Sequence, residues 1–314
     1  MNKKIITCFS MMVLSQSAFA TDFFVSKAGT GSSCIKSDPC SSIQAAINLA
    51  QPGDTVSVGE GSFVENVTIS GGKNGLTLKG AGADSTRIVS AGGDAVLKFA
   101  PPTVPVDIII DVFSSGVTIE KLSTEHPASE PNKRDLGIFV RPPANNVTIS
   151  KSKLVRNRIG SNLEPYAPGS RGVLVFRAKG TVINKNEFSG NYEDHLHIPS
   201  SNTTITKNEV NDATRIGIVI IQENATSDSS NNIISKNEVN GSGTDGIQIQ
   251  GDNNIISKNE VENSGAIGIK LCGAGDCVAP GTTAVASGNQ VTKNELEDNA
   301  GGNIVNDGTD NVIN

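Results

Sequence analysis

The chain has 314 residues, with 26 Lys and Arg against 32 Asp and Glu, a formal charge of −6, no Trp and two Tyr. An acidic balance without a basic cluster excludes a nucleic-acid partner bound through counterion release, and the length allows one or two domains. Lys3 and Lys4, an apolar run through Ile5, Ile6 and Met11 to Leu14, and Ala-Phe-Ala at 18–20 have the form of an export signal cleaved after Ala20. Its loss takes the charge from −6 to −8. The run is too short to span a bilayer and no second candidate follows. The expected product, residues 21–314, is a single domain without a membrane span, secreted or periplasmic.

Cysteine usage agrees with that compartment. Cys8 leaves with the signal, and Cys34 with Cys40 and Cys272 with Cys277 form two close pairs, each expected to close a local disulfide loop. No Cys-x-x-Cys spacing supports a zinc site, so no metal is expected. Between the cysteine pairs, Ile43, Ala46, Ile47 and Ala50 lie on one face of a short helix predicted over 41–50.

From residue 118 onward a phrase recurs: "TIEKLS" at 118, "TISKSKL" at 148, "VINKNEF" at 182, "TITKNEV" at 204, "IISKNEV" at 233 and 255, and "QVTKNEL" at 290. The last five copies are 22, 29, 22 and 35 residues apart, so the unit is about 22 residues with insertions, a solenoid period. A second phrase alternates with it: "LGIFV" at 136, "GVLV" at 172, "HLHI" at 195, "GIVI" at 217, "GIQI" at 246 and "GIKL" at 268. Both are short, β-branched and bounded by Gly, Asn, Asp and Ser, and no amphipathic helix fits beside them. The predicted fold is an all-β, right-handed parallel β-helix. Asn186, Asn208, Asn237, Asn259 and Asn294 then stack as a ladder, at a corner whose left-handed conformation asparagine tolerates.

The chain resembles the pectin-lyase-like β-helix superfamily over nearly its whole mature length, and "SSIQAAINLAQPGDTVSVGEGSFVENVTI" at 41–69 is similar to the opening of many members. The resemblance implies that the helix plugs the N-terminal end of the coil. It also implies that the asparagine turn joins the second and third sheets, and that the "GIxI" strands form the first sheet, whose outer face commonly carries the active site.

If Ile247 and Ile249 point inward, the equivalent alternation buries Leu196 and Ile198 and turns His195 and His197 outward together. Phe139, Arg141, Phe176, Gln248, Gln250 and Lys270 are expected on the same outer strip. Insertions at 125–133, 156–170, 223–231 and 273–288 flank it, which suggests a cleft with the histidines on its floor. His126 falls in one insertion and reads as a solvated loop residue. Asp194 matches Asp245 in register and reads as a turn residue entering the strand.

The superfamily mostly acts on acidic polysaccharides. A lyase or C5-epimerase needs a base, a cation to neutralise the carboxylate, and an acid. His197 as base, Arg141 or Arg177 as cation, and Tyr192 or His195 as acid fit these roles, and Phe139, Phe176, Gln248, Gln250 and Lys270 are candidate sugar contacts. "YEDHLH" resembles the Tyr, Asp and His grouping of alginate epimerases without its Asp-Pro-His core. No methylesterase or polygalacturonase pattern is present, and no convergence of acidic oxygens supports calcium, so no cofactor is expected. The alternative is a non-catalytic glycan-binding, adhesin or structural surface protein. A monomer is expected either way.

Overall fold

A computed structural model describes residues 20–93, 95, 105–127, 134–156, 169–190, 192–222, 228–277 and 284–314. Residues 1–19 of the expected export signal and parts of the four insertions lie outside the described residues. Among the described residues no helix is long and apolar enough to cross a membrane.

The strands form three parallel sheets, of nine, eleven and nine strands. One rung shows the path. Asp194–Ile198 lies in the first sheet, Thr204–Thr206 in the second and Glu209–Asn211 in the third, and the chain then climbs to Ile216–Ile220, paired in parallel with Asp194–Ile198. From Thr55 onward the described strands repeat this path, so apolar side chains from three directions fill one continuous interior: Leu196 and Ile198 from the first sheet, Ile205 from the second, Val210 from the third. The only described helix is Ile43–Leu49, which starts two residues later and ends one residue earlier than the predicted 41–50. Ser42 caps it, and Glu65 accepts hydrogen bonds from the Ile43 and Gln44 N–H groups at 2.7 and 3.1 Å. Ile43, Ala46 and Ile47 are buried against the N-terminal rungs.

The asparagine ladder joins the second sheet to the third, as expected. The side-chain amide of Asn186 donates to Asn208 Oδ1 (3.1 Å), Asn208 to Asn237 (2.9 Å), Asn237 to Asn259 (2.9 Å) and Asn259 to Asn294 (3.0 Å). The left-handed residue at this corner is not the asparagine but the lysine before it: Lys185, Lys207, Lys236, Lys258 and Lys293 all have φ 58°. Asparagine must turn inward to bond its stacked neighbours, so the outward-facing residue takes the kink. A second ladder, Asn232, Asn254, Asn289 and Asn311, braces the entry to the second sheet with amide bonds of 3.0 Å. Both disulfides are present, Cys34–Cys40 and Cys272–Cys277.

Candidate functional site

The first sheet does not alternate strictly, and this changes the site. In each rung two successive residues point inward where the chain rounds the corner from the third sheet. A Cβ built at Gly217 would meet Val239 Cγ1 at 2.6 Å, and one at Gly246 would meet Val261 Cγ1 at 2.3 Å; both valines are core residues. His195 occupies this glycine column. Its ring lies in the interior, with centroids 5.9 Å from Phe188 and 5.7 Å from Tyr192, and its Nε2 is 2.8 Å from the Asn211 carbonyl. The expectation that His195 and His197 share the outer face is therefore corrected: alternation begins only at residue 196. Burial lowers the His195 pKa to about 4, against the Asn211 carbonyl and Asp194, so the ring is neutral. Tyr192 is also interior and fully buried, and burial raises its pKa.

His197 does lie on the outer side, in the column of Leu174, Val219 and Gln248. Asp194, three residues earlier, shares that face because of the doubled inward pair between them. Its Oδ2 is 2.9 Å from His197 Nδ1, and the same oxygen accepts a short bond from the Arg215 guanidinium and lies 3.7 Å from Arg171 Nη2. Burial alone would raise the Asp194 carboxyl, but Arg215, His197 and Arg171 hold it well below the usual carboxylate range. An ionised Asp194 cannot donate, so in this contact His197 Nδ1 carries the proton and donates it to the carboxylate.

The other expected residues are spread along the strip. Arg141 is committed to Asp111: its Nε donates to Oδ1 at 3.0 Å and its Nη2 to Oδ2, while the guanidinium stacks over Phe113 and Phe139. It is two rungs from His197, about 10 Å along the coil at the inter-strand spacing, and two residues further along its strand than Phe139, which shares the His197 column. Arg177 has φ 52° and stacks over Phe176. Phe139 and Phe176 pack with Val106, Ile108, Leu136 and Leu174 in an apolar cluster on one side of the histidine rung, and Ile216, Val219 and Ile221 form another on the other side. Gln248 and Gln250 are buried, whereas Lys270 is half-buried with Nζ 3.4 Å from the Asp276 carbonyl. His197 is 3 % exposed and Phe176 9 %. The expected open cleft is thus a buried seam.

His126 is likewise corrected from a solvated loop residue to a buried one, at the end of the strand Ser123–His126. Its Nδ1 is 3.2 Å from Tyr192 Oη and its Nε2 is 3.9 Å from Asp107 Oδ2. Asp135 joins them from the first sheet, bonded to Arg156 Nε at 2.8 Å. Ligand atoms of Asp107, His126 and Asp135 lie within 4.8 Å of one another, a spacing compatible with a cation. The same carboxylates already serve Arg156, Asn66 and Ser90.

Sequence reasoning missed Asp194 as a hub, together with Arg171 and Arg215. The available signal was register: Arg171 and Asp194 occupy one column in adjacent rungs. A corner residue read as turn punctuation was a charged member of the outer face.

Residues 107–227 match the family described as "Right handed beta helix region". No curated protein sequence matches the chain significantly. Among solved structures, the chain is similar to an alginate lyase from Paenibacillus sp. str. FPU-7, at 15% identity over 92% of this chain and 99% of that one, with a TM-score of 0.56. It is also similar to a pectin methylesterase from Erwinia chrysanthemi, at 11% identity over 92% and 94%, TM-score 0.55. A lacto-N-biosidase from Eubacterium ramulus matches at 13% identity over 94% and 68%, TM-score 0.55. At these identities the likeness concerns the fold, and with the three stacked parallel sheets it identifies the chain as a right-handed parallel β-helix.

Proposed function

We propose that the protein is an exported carbohydrate-active protein acting on a uronate-containing polysaccharide, by β-elimination or C5-epimerisation, with His197 as the base. The observation that carries this reading is the Asp194–His197 pair on the outer side of the first sheet, with Arg171 and Arg215 at the same carboxylate. The similarity to an alginate lyase and to pectin methylesterases supports a polysaccharide substrate. The two disulfides support a compartment outside the cytoplasm.

His197 Nε2 takes the proton from the carbon beside the sugar carboxylate, and Asp194 stabilises the imidazolium. In elimination, the electrons of that C–H bond form the ring double bond as the bond to the departing oxygen breaks. With Tyr192 and His195 in the interior, the imidazolium returns the proton to that oxygen. In epimerisation the electrons of the C–H bond pass into the sugar carboxylate as an enediolate, a water on the opposite face delivers a proton to the carbon, and the hydroxide left behind takes the proton held by His197.

The deep burial of His197 and Gln248 favours a second reading, in which the ion pairs fasten the seam of a non-catalytic glycan-binding or surface protein. Incubation with a panel of uronate polymers, followed by absorbance of the unsaturated uronate and by an isomer assay, decides between them. Turnover that disappears in a folded His197→Ala variant supports the enzyme. Silence across the panel with retained glycan binding supports the second reading.

A further inference from the structure

On the outer side of the first sheet, at the head of the strand Arg134–Val140, lies a group that the Asp194 network does not use. Arg134 shares the outer face with Leu136, two residues on, whereas Asp135 between them turns to the interior pair with Arg156. Arg134 is only 2 % exposed, yet Nε, Nη1 and Nη2 all lack a hydrogen-bond partner. A guanidinium does not escape this by losing its proton, and an uncompensated buried charge is among the most costly arrangements a fold can hold. Burial and the like charge of Arg171 both press against the Arg134 cation, and Glu193 favours it only through space. Arg171 stands one rung further, in register with Leu136, which places two guanidinium groups on one face.

We infer that Arg134, beside Arg171, is a docking point for a sugar carboxylate, whose two oxygens match the planar donor fork of a guanidinium. The inference rests on the proposed uronate substrate and names a subsite for it separate from the base. The carboxylate supplies the hydrogen-bonded countercharge that Glu193 provides only at a distance, and the neighbouring Val106, Leu136 and Phe139 supply an apolar wall.

The test uses the full mature chain carrying His197→Ala, so that no probe is consumed. Thermal unfolding and calorimetry are followed with the trimers of galacturonate and of mannuronate, their uncharged methyl esters, and inorganic sulfate. At least one acid trimer is expected to raise the unfolding temperature while its ester does not. Arg134→Met should weaken binding of that trimer at least about tenfold, an effect of about 1.4 kcal/mol. Its ligand-free unfolding temperature should be no lower, since an apolar side chain of similar length removes the unpaired charge. Arg134→Lys should fall between the two. The inference is overturned if acid and ester act alike, if Arg134→Met keeps the acid-selective response, or if sulfate stabilises as well as the trimer. Failure of the catalytic reading shows separately, as turnover in the parent chain that His197→Ala leaves intact.

Discussion

Asp194 Oδ2 and His197 Nδ1 lie 2.9 Å apart across three residues of one strand, a separation at which a regular strand would send them to opposite faces. The doubled inward pair between them, His195 and Leu196, is what brings them together. Removing the carboxylate charge leaves Arg215 and Arg171 facing a neutral amide in a buried seam. Asp194→Asn should therefore cost about 3–5 kcal/mol at pH 7, as breaking a buried pair does. Because the folded carboxyl titrates below its unfolded value of about 3.9, its stabilisation is complete above that pH and is lost as pH falls further. The gap between parent and variant, measured by denaturant titration, should be constant from pH 7 to about 5 and narrow below about 4.

His195 predicts a pH dependence in a different window. Its folded pKa is about 4, against 6.5 for a free imidazole. Between these values the unfolded chain binds the proton and the folded chain does not, so stability rises with pH and is lost as pH falls from about 6.5 toward 4. The full effect is about 3 kcal/mol at most. His195→Gln, which retains an amide donor for the Asn211 carbonyl but does not titrate, should flatten this part of the curve. An unchanged slope between pH 4 and 6.5 would place the ring in solvent instead.

The asparagine ladder makes a prediction about the coil as a whole. Asn237 accepts from the Asn208 backbone N–H and side-chain amide, at 3.0 and 2.9 Å, and donates to the Ile205 carbonyl at 3.0 Å. Alanine at 237 strands these groups in a buried corner, at roughly 1–3 kcal/mol for each group left without a partner. Asn237→Ala should lose about 2–4 kcal/mol in chemical denaturation, more than Asn294→Ala, whose corner is only part-buried.

Gly246 tests the corner geometry that misplaces His195 on simple alternation. A Cβ there lies 2.3 Å from Val261 Cγ1 and 2.8 Å from the Gly268 carbonyl. Gly246→Ala should destabilise by about 1–3 kcal/mol through overpacking, and the added loss of Val261→Ala should be less than additive with it. An outward-facing Gly246 would instead tolerate alanine without measurable change.

The architecture was legible because a solenoid writes its period into the chain. "KNE" recurring at intervals of 22, 29, 22 and 35 residues places Asn186, Asn208, Asn237, Asn259 and Asn294 in one column wherever the rungs stack, and Ile43, Ala46 and Ile47 announce the helix by spacing alone. The pairings Cys34–Cys40 and Cys272–Cys277 were legible for a related reason, since each joins residues already adjacent along the chain. The site was not legible in this way. Glycine carries no side chain to show which way its position faces, so the column of Gly217 and Gly246 read as outer when it is inner, and His195 was carried with it.

Local sequence, then, determined the rungs, the ladder, the short helix and the covalent loops, because each depends on contacts within one repeat or between identical repeats. The pairing of Asp194 with His197, Arg171 and Arg215, the withdrawal of His195 and Tyr192 into the core, and the isolation of Arg134 were decided only by stacking. They depend on how a corner bends and on which unlike side chains neighbouring rungs bring into one column, and neither is encoded in the period that specifies the fold.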